Sequence, residues 1–208
     1  MHQRDTFSFT PHIPGGLTTP EQLRQIAAAA EKYGTTLKFT SNGITLMGLA
    51  LADREAVAAE LGSVPESFTA KAVRGITVCT GKPNCPRAQQ DSTALGLLLD
   101  RKFFGRNTPG KVRIGISACP NCCAEVFVKD IGLFGTAQGF TVVAGGNSGR
   151  QARAGRIIAS GVPAERIPSV IRLLLDYYRQ YAKDKERLGD TLDRAGWDEL
   201  IAAVTKES

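Results

Sequence analysis

Hydrophobic and polar positions in the first part of the chain follow the periods of regular secondary structure, two residues for a strand and about 3.6 for a helix. The predicted elements are, in chain order, a strand over 6–10, a helix over 20–33, two strands over 36–40 and 44–49, and a helix over 52–61. The turn between the two middle strands, Ser41-Asn42-Gly43, is typical of a hairpin. This β-α-β-β-α order predicts a small α+β domain over residues 1–62, followed by a polar linker.

The rest of the chain, residues 70–208, predicts a larger α/β unit. Its predicted elements are a strand over 71–79, a helix over 86–103, a strand over 111–117, paired strands over 130–135 and 139–146, a long helix over 163–185 and a last helix over 196–204. Residues 145–156 are rich in glycine and arginine and predict a loop.

Composition narrows the class of protein. Of the 208 residues, 42% are hydrophobic and 22% are charged, as in an ordinary globular protein. No apolar run approaches the roughly 20 residues of a membrane helix, and the N-terminus lacks the apolar run of a signal peptide. We therefore expect a cytoplasmic protein with no membrane partner. The net charge of +6 favours an anionic substrate, cofactor or partner.

The cysteines are the unusual feature of the sequence. They are spaced C-x5-C and C-x3-C, with one extra thiol, at positions Cys79, Cys85, Cys119, Cys122 and Cys123. Their clustering favours metal or cluster ligands, or redox centres, over a disulfide framework. Four converging thiolates suit zinc or an iron–sulfur cluster. The spacing is wider than a zinc knuckle but does not exclude zinc, and buried structural cysteines are the remaining alternative.

Two cysteine motifs carry a family resemblance. VCTGKPNCPRA (78–88) and ISACPNCC (116–123) resemble the signature of the nitrite/sulfite reductase family. Residues 19–49 resemble the family's ferredoxin-like half-domain, and residues 132–150 resemble its glycine-rich strand and loop. The resemblance implies an α+β fold, in which a ferredoxin-like half-domain precedes a sirohaem/[4Fe–4S]-binding α/β domain. The common enzymes contain two copies of this module, and this chain has one, like the small stand-alone members.

The resemblance also implies which residues hold the cofactors. The cluster ligands would be Cys79, Cys85, Cys119 and Cys123, and the Cys123 thiolate would bridge to the sirohaem iron. Cys122 stands where the family usually has serine. It would be an inert substitute, a swapped ligand or a redox-active thiol, and we expect the first. The candidates for binding the sirohaem carboxylates are Lys38, Asn42, Gly145, Gly146, Asn147, Arg150, Arg153 and Arg156. The alternative for the arginine-rich run is an ordinary basic loop; no nucleic-acid module is present in the sequence.

Three basic residues match the family's contacts to the bound anion. They are Arg74, Lys111 and Arg113, of which the last two are expected on one strand face because side chains alternate. Their charge would stabilise the oxyanion, and they would supply or relay protons. The alternative for Lys111 and Arg113 is a solvated strand face. Asn42 stands where the family usually has an arginine that contacts substrate, so one of four basic contacts is missing.

The resemblance thus implies an oxidoreductase that reduces sulfite to sulfide with six electrons, or nitrite to ammonia on the same site. Electrons would come from a ferredoxin or a reductase subunit, because no G-x-G-x-x-G motif follows a predicted strand. A homodimer is a further expectation, since a second copy would restore the two-module arrangement. The competing hypotheses are a cluster-only electron-transfer or assembly subunit and a zinc-stabilised binding module.

Overall fold

The structure, a computed structural model, describes residues 6–40, 43–62 and 71–207. Its contacts divide the chain into two compact units, one within residues 1–68 and the other within residues 69–208. Each unit has a hydrophobic core of its own. Within the described ranges, no helix has the length and apolar character needed to cross a membrane.

The first unit has the predicted β-α-β-β-α order. Its elements are β1 (Thr6–Phe9), α1 (Pro20–Lys32), β2 (Thr36–Thr40), β3 (Gly43–Ala50) and α2 (Arg54–Glu60). The three strands form an antiparallel sheet in the order β1-β3-β2. A capping box starts α1, in which Thr19 accepts from the Gln22 N–H and the Gln22 side chain accepts from the Thr19 N–H.

The second unit is a five-stranded mixed sheet with helices. Its elements are β4 (Thr77–Val78), α3 (Ser92–Phe103), β5 (Ile114–Ser117), β6 (Ile131–Thr136), β7 (Gly139–Ala144), β8 (Arg156–Val162), α4 (Ile167–Tyr181), α5 (Leu188–Ala195) and α6 (Asp198–Glu207). The strand order is β4-β5-β6-β7-β8, with the first two pairings parallel and the last two antiparallel. β5 is buried along its whole length, as expected for a parallel strand inside a sheet.

The predicted strand over 71–79 and helix over 86–103 are both too long. Only Thr77–Val78 forms a strand, although Ala72 and Val73 make isolated bridges. The helix starts at Ser92, where the Asp91 side chain accepts from the Ala94 N–H at 2.9 Å. The residues before it form turns whose N–H groups bond outside any helix.

Two elements of the second unit are not predicted from the pattern. β8 begins at Arg156, the last residue of the predicted glycine- and arginine-rich loop, and continues through residues for which no element was predicted. Its register with β7 is irregular, which breaks the alternation of side chains. α5 is only 8 residues long and includes Gly189, so its helical period is too short to recognise. The predicted helix over 163–185 is shorter, at Ile167–Tyr181.

Candidate functional site

The two cysteine motifs follow neighbouring parallel strands. β4 and β5 pair with Val78 beside Ile116, so both motifs begin at the same edge of the sheet. The Cys79 N–H donates to the Ile116 carbonyl at 3.0 Å, and the Ala118 N–H donates to Cys79 Sγ at 3.1 Å. The structure therefore places the first cysteine beside the start of the second motif.

Ala118 also holds the turn that follows Cys85. Its carbonyl accepts from the N–H groups of Gln89 at 2.9 Å and Gln90 at 3.1 Å. Ala118 immediately precedes Cys119. Its N–H contacts Cys79 and its carbonyl contacts the turn after Cys85, so this one residue joins the two motifs. The three thiol-bearing positions are thereby tied to one edge of the sheet.

Two residues that the sequence pattern does not single out support this junction. A Cβ on Gly135 would lie 2.5 Å from the Ala118 carbonyl oxygen, so only glycine lets β6 pass this close. Ser92 is fully buried at the start of α3, and its Oγ lies 3.5 Å from Cys79 Sγ. Gly135 and Ser92 are recognised only from their three-dimensional contacts, because neither belongs to a sequence motif.

A tight turn separates the thiols of the second motif. The Cys122 N–H donates to the Cys119 carbonyl at 3.2 Å, and Cys122 has a left-handed φ of 53°. Cys119 is buried, whereas Cys123 is exposed. Burial, with the neighbouring Cys119 and Cys123, raises the pKa of the Cys122 thiol. Of the two thiols predicted as ligands here, Cys123 is the one open to a large cofactor.

The donor chemistry of these loops fits an iron–sulfur cluster. All five thiols are free, with no disulfide. Within the described ranges, no three His, Cys, Asp or Glu residues are arranged to hold a single metal ion. A cluster differs because its irons are several, so its thiolates do not have to meet at one ion.

The predicted anion contacts are also brought together. Val112 is buried between the half-buried Lys111 and Arg113, as the predicted alternation requires, although all three precede β5. Arg74 is buried, and its N–H donates to the Val112 carbonyl at 2.9 Å. Burial and then the charges of Arg113, Arg187 and Arg74 lower the pKa of Lys111.

A buried ion pair that the sequence does not reveal adjoins this basic cluster. Asp130 is fully buried and accepts from Arg187 Nε at 3.0 Å and from Nη2 at 2.9 and 2.7 Å. It also accepts from the Arg113 N–H at 2.8 Å. Burial raises the pKa of the Asp130 carboxyl, and the Arg187 guanidinium opposes that rise.

The basic cluster and the cysteines lie at opposite ends of the same strands. Arg74 precedes β4 and Cys79 follows it, while Arg113 precedes β5 and Cys119 follows it. A strand rises about 3.3 Å per residue, so β5 alone separates the two ends by roughly 13 Å. Within one chain, the structure thus gathers the predicted anion contacts in one place and the predicted thiol ligands in another.

The glycine-rich loop between β7 and β8 packs against the main chain. A Cβ on Gly146 would lie 2.3 Å from the Phe127 carbonyl oxygen. The N–H of Gly145 donates to the Asp130 carbonyl at 2.8 Å, and Asn147 exchanges backbone hydrogen bonds with Arg153 at 3.0 and 2.8 Å. These contacts hold the loop in place, and its binding of sirohaem carboxylates stays a prediction.

The arginines of this loop have different surroundings. Arg153 Nε donates to the Gly145 carbonyl at 2.9 Å and its Nη1 donates to Asp193 at 2.6 Å, whereas its buried Nη2 has no hydrogen-bond partner among the described residues. Arg156 lies over the Trp197 ring at 4.7 Å. Arg150 is exposed, which leaves its side chain accessible to an anionic group.

Two predicted residues belong to the first part of the chain. Lys38 is exposed on β2, within the first unit. Asn42 lies outside the described residues. The roles of both residues remain predictions.

A free thiol set on one sheet edge is typical of an iron–sulfur protein, and a gathered basic cluster suits an anion. Residues 69–208 match the model of the nitrite and sulphite reductase 4Fe-4S domain, and residues 1–64 match that of the nitrite/sulfite reductase ferredoxin-like half domain. The chain belongs to the nitrite and sulphite reductase family and is an oxidoreductase whose cofactors are a [4Fe–4S] cluster and sirohaem. The predicted fold class, with a single module, is confirmed.

Relatives of very different length share this module. A nitrite reductase [NAD(P)H] of Bacillus subtilis is 37% identical over 93% of this chain, but the match spans only 24% of that protein. An assimilatory-type sulfite reductase of Nitratidesulfovibrio vulgaris is 31% identical, over 97% of this chain and 94% of that protein. The Mycobacterium tuberculosis NirA structure has a TM-score of 0.84 at 15% identity, over 97% of this chain and 40% of that one, which shows the shared fold.

Replacing Ser92 by Ala removes the hydroxyl that lies 3.5 Å from Cys79 Sγ. Hydrogen bonds to cluster sulfurs stabilise the reduced, more negative state. We therefore expect the cluster's reduction potential to fall by roughly 20–60 mV, the equivalent of about 0.5–1.4 kcal/mol for one electron. Redox titration followed by electron paramagnetic resonance measures the potential. The exposed Ser160→Ala on β8 is the matched control, and equal potentials in both variants would contradict the contact.

Replacing Gly135 by Ala would push the Ala118 carbonyl away, because the new Cβ would approach its oxygen to 2.5 Å. We expect a lower iron content and weaker visible cluster absorbance in the purified protein, with the far-ultraviolet circular dichroism retained. Gly161→Ala is the control, because it strains a φ of +72° but meets no atom closer than 3.8 Å. Full iron content in Gly135→Ala would show that the junction at Ala118 tolerates displacement.

Proposed function

We propose that this chain carries out the six-electron reduction of sulfite to sulfide. When bound, the [4Fe–4S] cluster and the sirohaem supply the electrons and the iron at which the substrate is reduced. The observation that carries the proposal is the gathering of Arg74, Lys111 and Arg113 into one basic cluster, on the same sheet that ties the thiols together. The assimilatory-type sulfite reductase that matches over nearly its full length supports sulfite as the substrate.

In this proposal, four thiolates bind the cluster. They would be the thiolates of Cys79, Cys85, Cys119 and Cys123, and the exposed Cys123 would also help to hold the sirohaem. Cys122, whose φ is left-handed at 53°, is not a ligand in this proposal. Arg150 and the backbone of Gly145, Gly146 and Asn147 would bind sirohaem carboxylates, and Arg153 holds that loop through its hydrogen bonds to the Gly145 carbonyl and to Asp193.

The three basic residues bind the oxyanion and move protons. Arg74 and Arg113 hold the anion with permanent positive charge, since guanidinium groups stay protonated. Lys111 is the proton donor, because burial and three neighbouring arginines lower its pKa from the usual 10.5 and make it a stronger acid. Each oxygen removed from the substrate requires protons to leave as water, which a poised ammonium group supplies.

Nitrite is the second candidate substrate. It is a small oxyanion like sulfite, and its reduction to ammonia also takes six electrons and several protons. The Bacillus subtilis relative, at 37% identity, is a nitrite reductase. Turnover of the purified protein with an artificial electron donor, measured with sulfite and with nitrite in separate assays, decides between them; reduction of neither would overturn the proposal.

A second copy of the chain completes the active site in this proposal. Within one chain the basic cluster and the thiols lie at opposite ends of β4 and β5, whereas catalysis needs the anion contacts and the cluster at one iron. Two copies arranged about a two-fold axis bring the basic cluster of each to the thiols of the other. The basic chain, with a net charge of +6, receives electrons from an acidic ferredoxin or a reductase subunit in the cytoplasm.

Replacing Lys111 by Met should lower sulfite turnover by about 100-fold or more, because the proton donor is lost while the side chain keeps its length. The sirohaem and cluster absorbance should persist. The deprotonated amine cannot donate, so wild-type turnover should fall at high pH, with a midpoint below the usual lysine value of 10.5. Lys102→Met, an exposed lysine on α3, is the control. Wild-type turnover in Lys111→Met would remove Lys111 from the mechanism.

Mixing two inactive variants tests the shared site. Lys111→Met and Cys85→Ala should each be inactive alone, and co-expressed chains should regain about one quarter of wild-type turnover, because half of randomly paired dimers are mixed and each has one intact site of two. Lys111→Met mixed with Arg113→Met should regain none, since both lie in the same basic cluster. A fully active wild-type monomer in size-exclusion chromatography would overturn the shared site.

A further inference from the structure

The segment that carries Lys111 packs directly against the segment that carries Arg187. The Lys185 N–H donates to the Pro109 carbonyl at 3.0 Å. A Cβ on Gly110 would lie 2.5 Å from the Glu186 carbonyl oxygen, which also accepts from the Tyr178 hydroxyl. The two chain segments are thus fixed against one another immediately beside Lys111 and Arg187.

Asp130 connects three parts of the second unit. Its carboxylate accepts from the Arg113 N–H at 2.8 Å and binds the Arg187 guanidinium through Nε and Nη2. Its backbone carbonyl accepts from the Gly145 N–H of the glycine-rich loop at 2.8 Å. Because the carboxylate is fully buried, neither Arg113 nor Arg187 can move away without leaving an unpaired charge or donor behind.

We infer that Asp130 and Arg187 are positioning residues of the anion site. Asp130 fixes the backbone of Arg113, and Arg187 places a permanent positive charge beside Lys111. The inference rests on the proposed function for the reaction that Lys111 serves, whereas the contacts themselves do not depend on it. Neither residue was among the candidates that the sequence or the family resemblance indicated.

The charges around Lys111 have opposite effects on its proton affinity. The positive neighbours Arg113, Arg187 and Arg74 favour loss of the proton, in that order, and the negative Asp130 opposes them with the smallest effect. Asp130 therefore moderates the repulsion that Arg187 exerts on Lys111. As the effect of Arg187 exceeds that of Asp130, the pair as a whole makes Lys111 more acidic.

Two single substitutions should consequently shift, in opposite directions, the pH at which Lys111 loses its proton. Asp130→Asn keeps the shape of the side chain but removes the negative charge, so Lys111 should lose its proton at lower pH. Arg187→Gln removes the positive charge, so Lys111 should lose its proton at higher pH. We expect each shift to be roughly half to one pH unit. If Asp130 and Arg187 had a purely structural role, both substitutions would shift the deprotonation of Lys111 in the same direction.

The measurement is the rate of acetylation of Lys111 in the purified holoenzyme as a function of pH, read by mass spectrometry of its peptide. Only the neutral amine reacts, so the midpoint of the profile reports the proton affinity without any turnover. Asp176→Asn and Arg179→Gln are matched controls, because they change an exposed Asp–Arg pair on α4 with a 2.8 Å contact. Both controls should leave the midpoint unchanged.

Opposite shifts in the two variants support the inference, and equal or absent shifts overturn it. Removal of one member of a buried pair can prevent folding. In that case the double variant Asp130→Asn/Arg187→Gln, which retains neutral hydrogen-bonding groups, decides: a higher midpoint supports the inference and an unchanged one overturns it. The acetylation midpoints could shift while the fall of sulfite turnover at high pH stays where it was. That result would show that the pair sets the proton affinity of Lys111 and that the proposed proton-donor role of Lys111 is wrong.

Discussion

The parallel pairing of β4 with β5 is the constraint on which the site depends. Parallel strands end at the same edge of a sheet, so residues that follow them come together even when they are far apart in the chain. Here the pairing of Val78 with Ile116 brings Cys79 to the N–H of Ala118. The same pairing gathers the residues that precede the strands, where the Arg74 N–H reaches the Val112 carbonyl. One pair of short strands therefore organises both the thiols and the basic cluster.

The first unit was predictable from the sequence because its contacts are local. Its hairpin and its capped helix are determined by neighbouring residues, such as the capping pair of Thr19 and Gln22. The start of α3 was not predictable, because the turn before it is held by the Ala118 carbonyl, nearly thirty residues away in the chain. The irregular β8 and the short α5 were not predicted for a related reason. Neither has a hydrophobic pattern regular or long enough to be recognised, and packing decides their conformation.

The site was predictable in its chemistry but not in its arrangement. The spacing of the cysteines, together with the family resemblance, named the cluster domain that the comparisons confirm. The alternation of Lys111 and Arg113 about the buried Val112 also follows from a local rule. Ser92, Gly135 and the pair of Asp130 with Arg187 could not be found this way, because a hydroxyl beside sulfur, a missing Cβ and a buried ion pair exist only after the chain has folded.

A buried ion pair is a costly way to hold a structure, because both charges must leave water and their attraction repays that loss only with good geometry. Asp130 meets this condition through three hydrogen bonds to one guanidinium and a fourth to the Arg113 N–H. An apolar pair of similar volume would pack well, but it would leave the Arg113 N–H without its acceptor and Lys111 without one of its charged neighbours. The three cations of the basic cluster and the adjoining Arg187 need a negative charge among them, because four unbalanced positive groups would repel one another. Asp130 is fully buried, so it supplies that charge from the interior of the second unit.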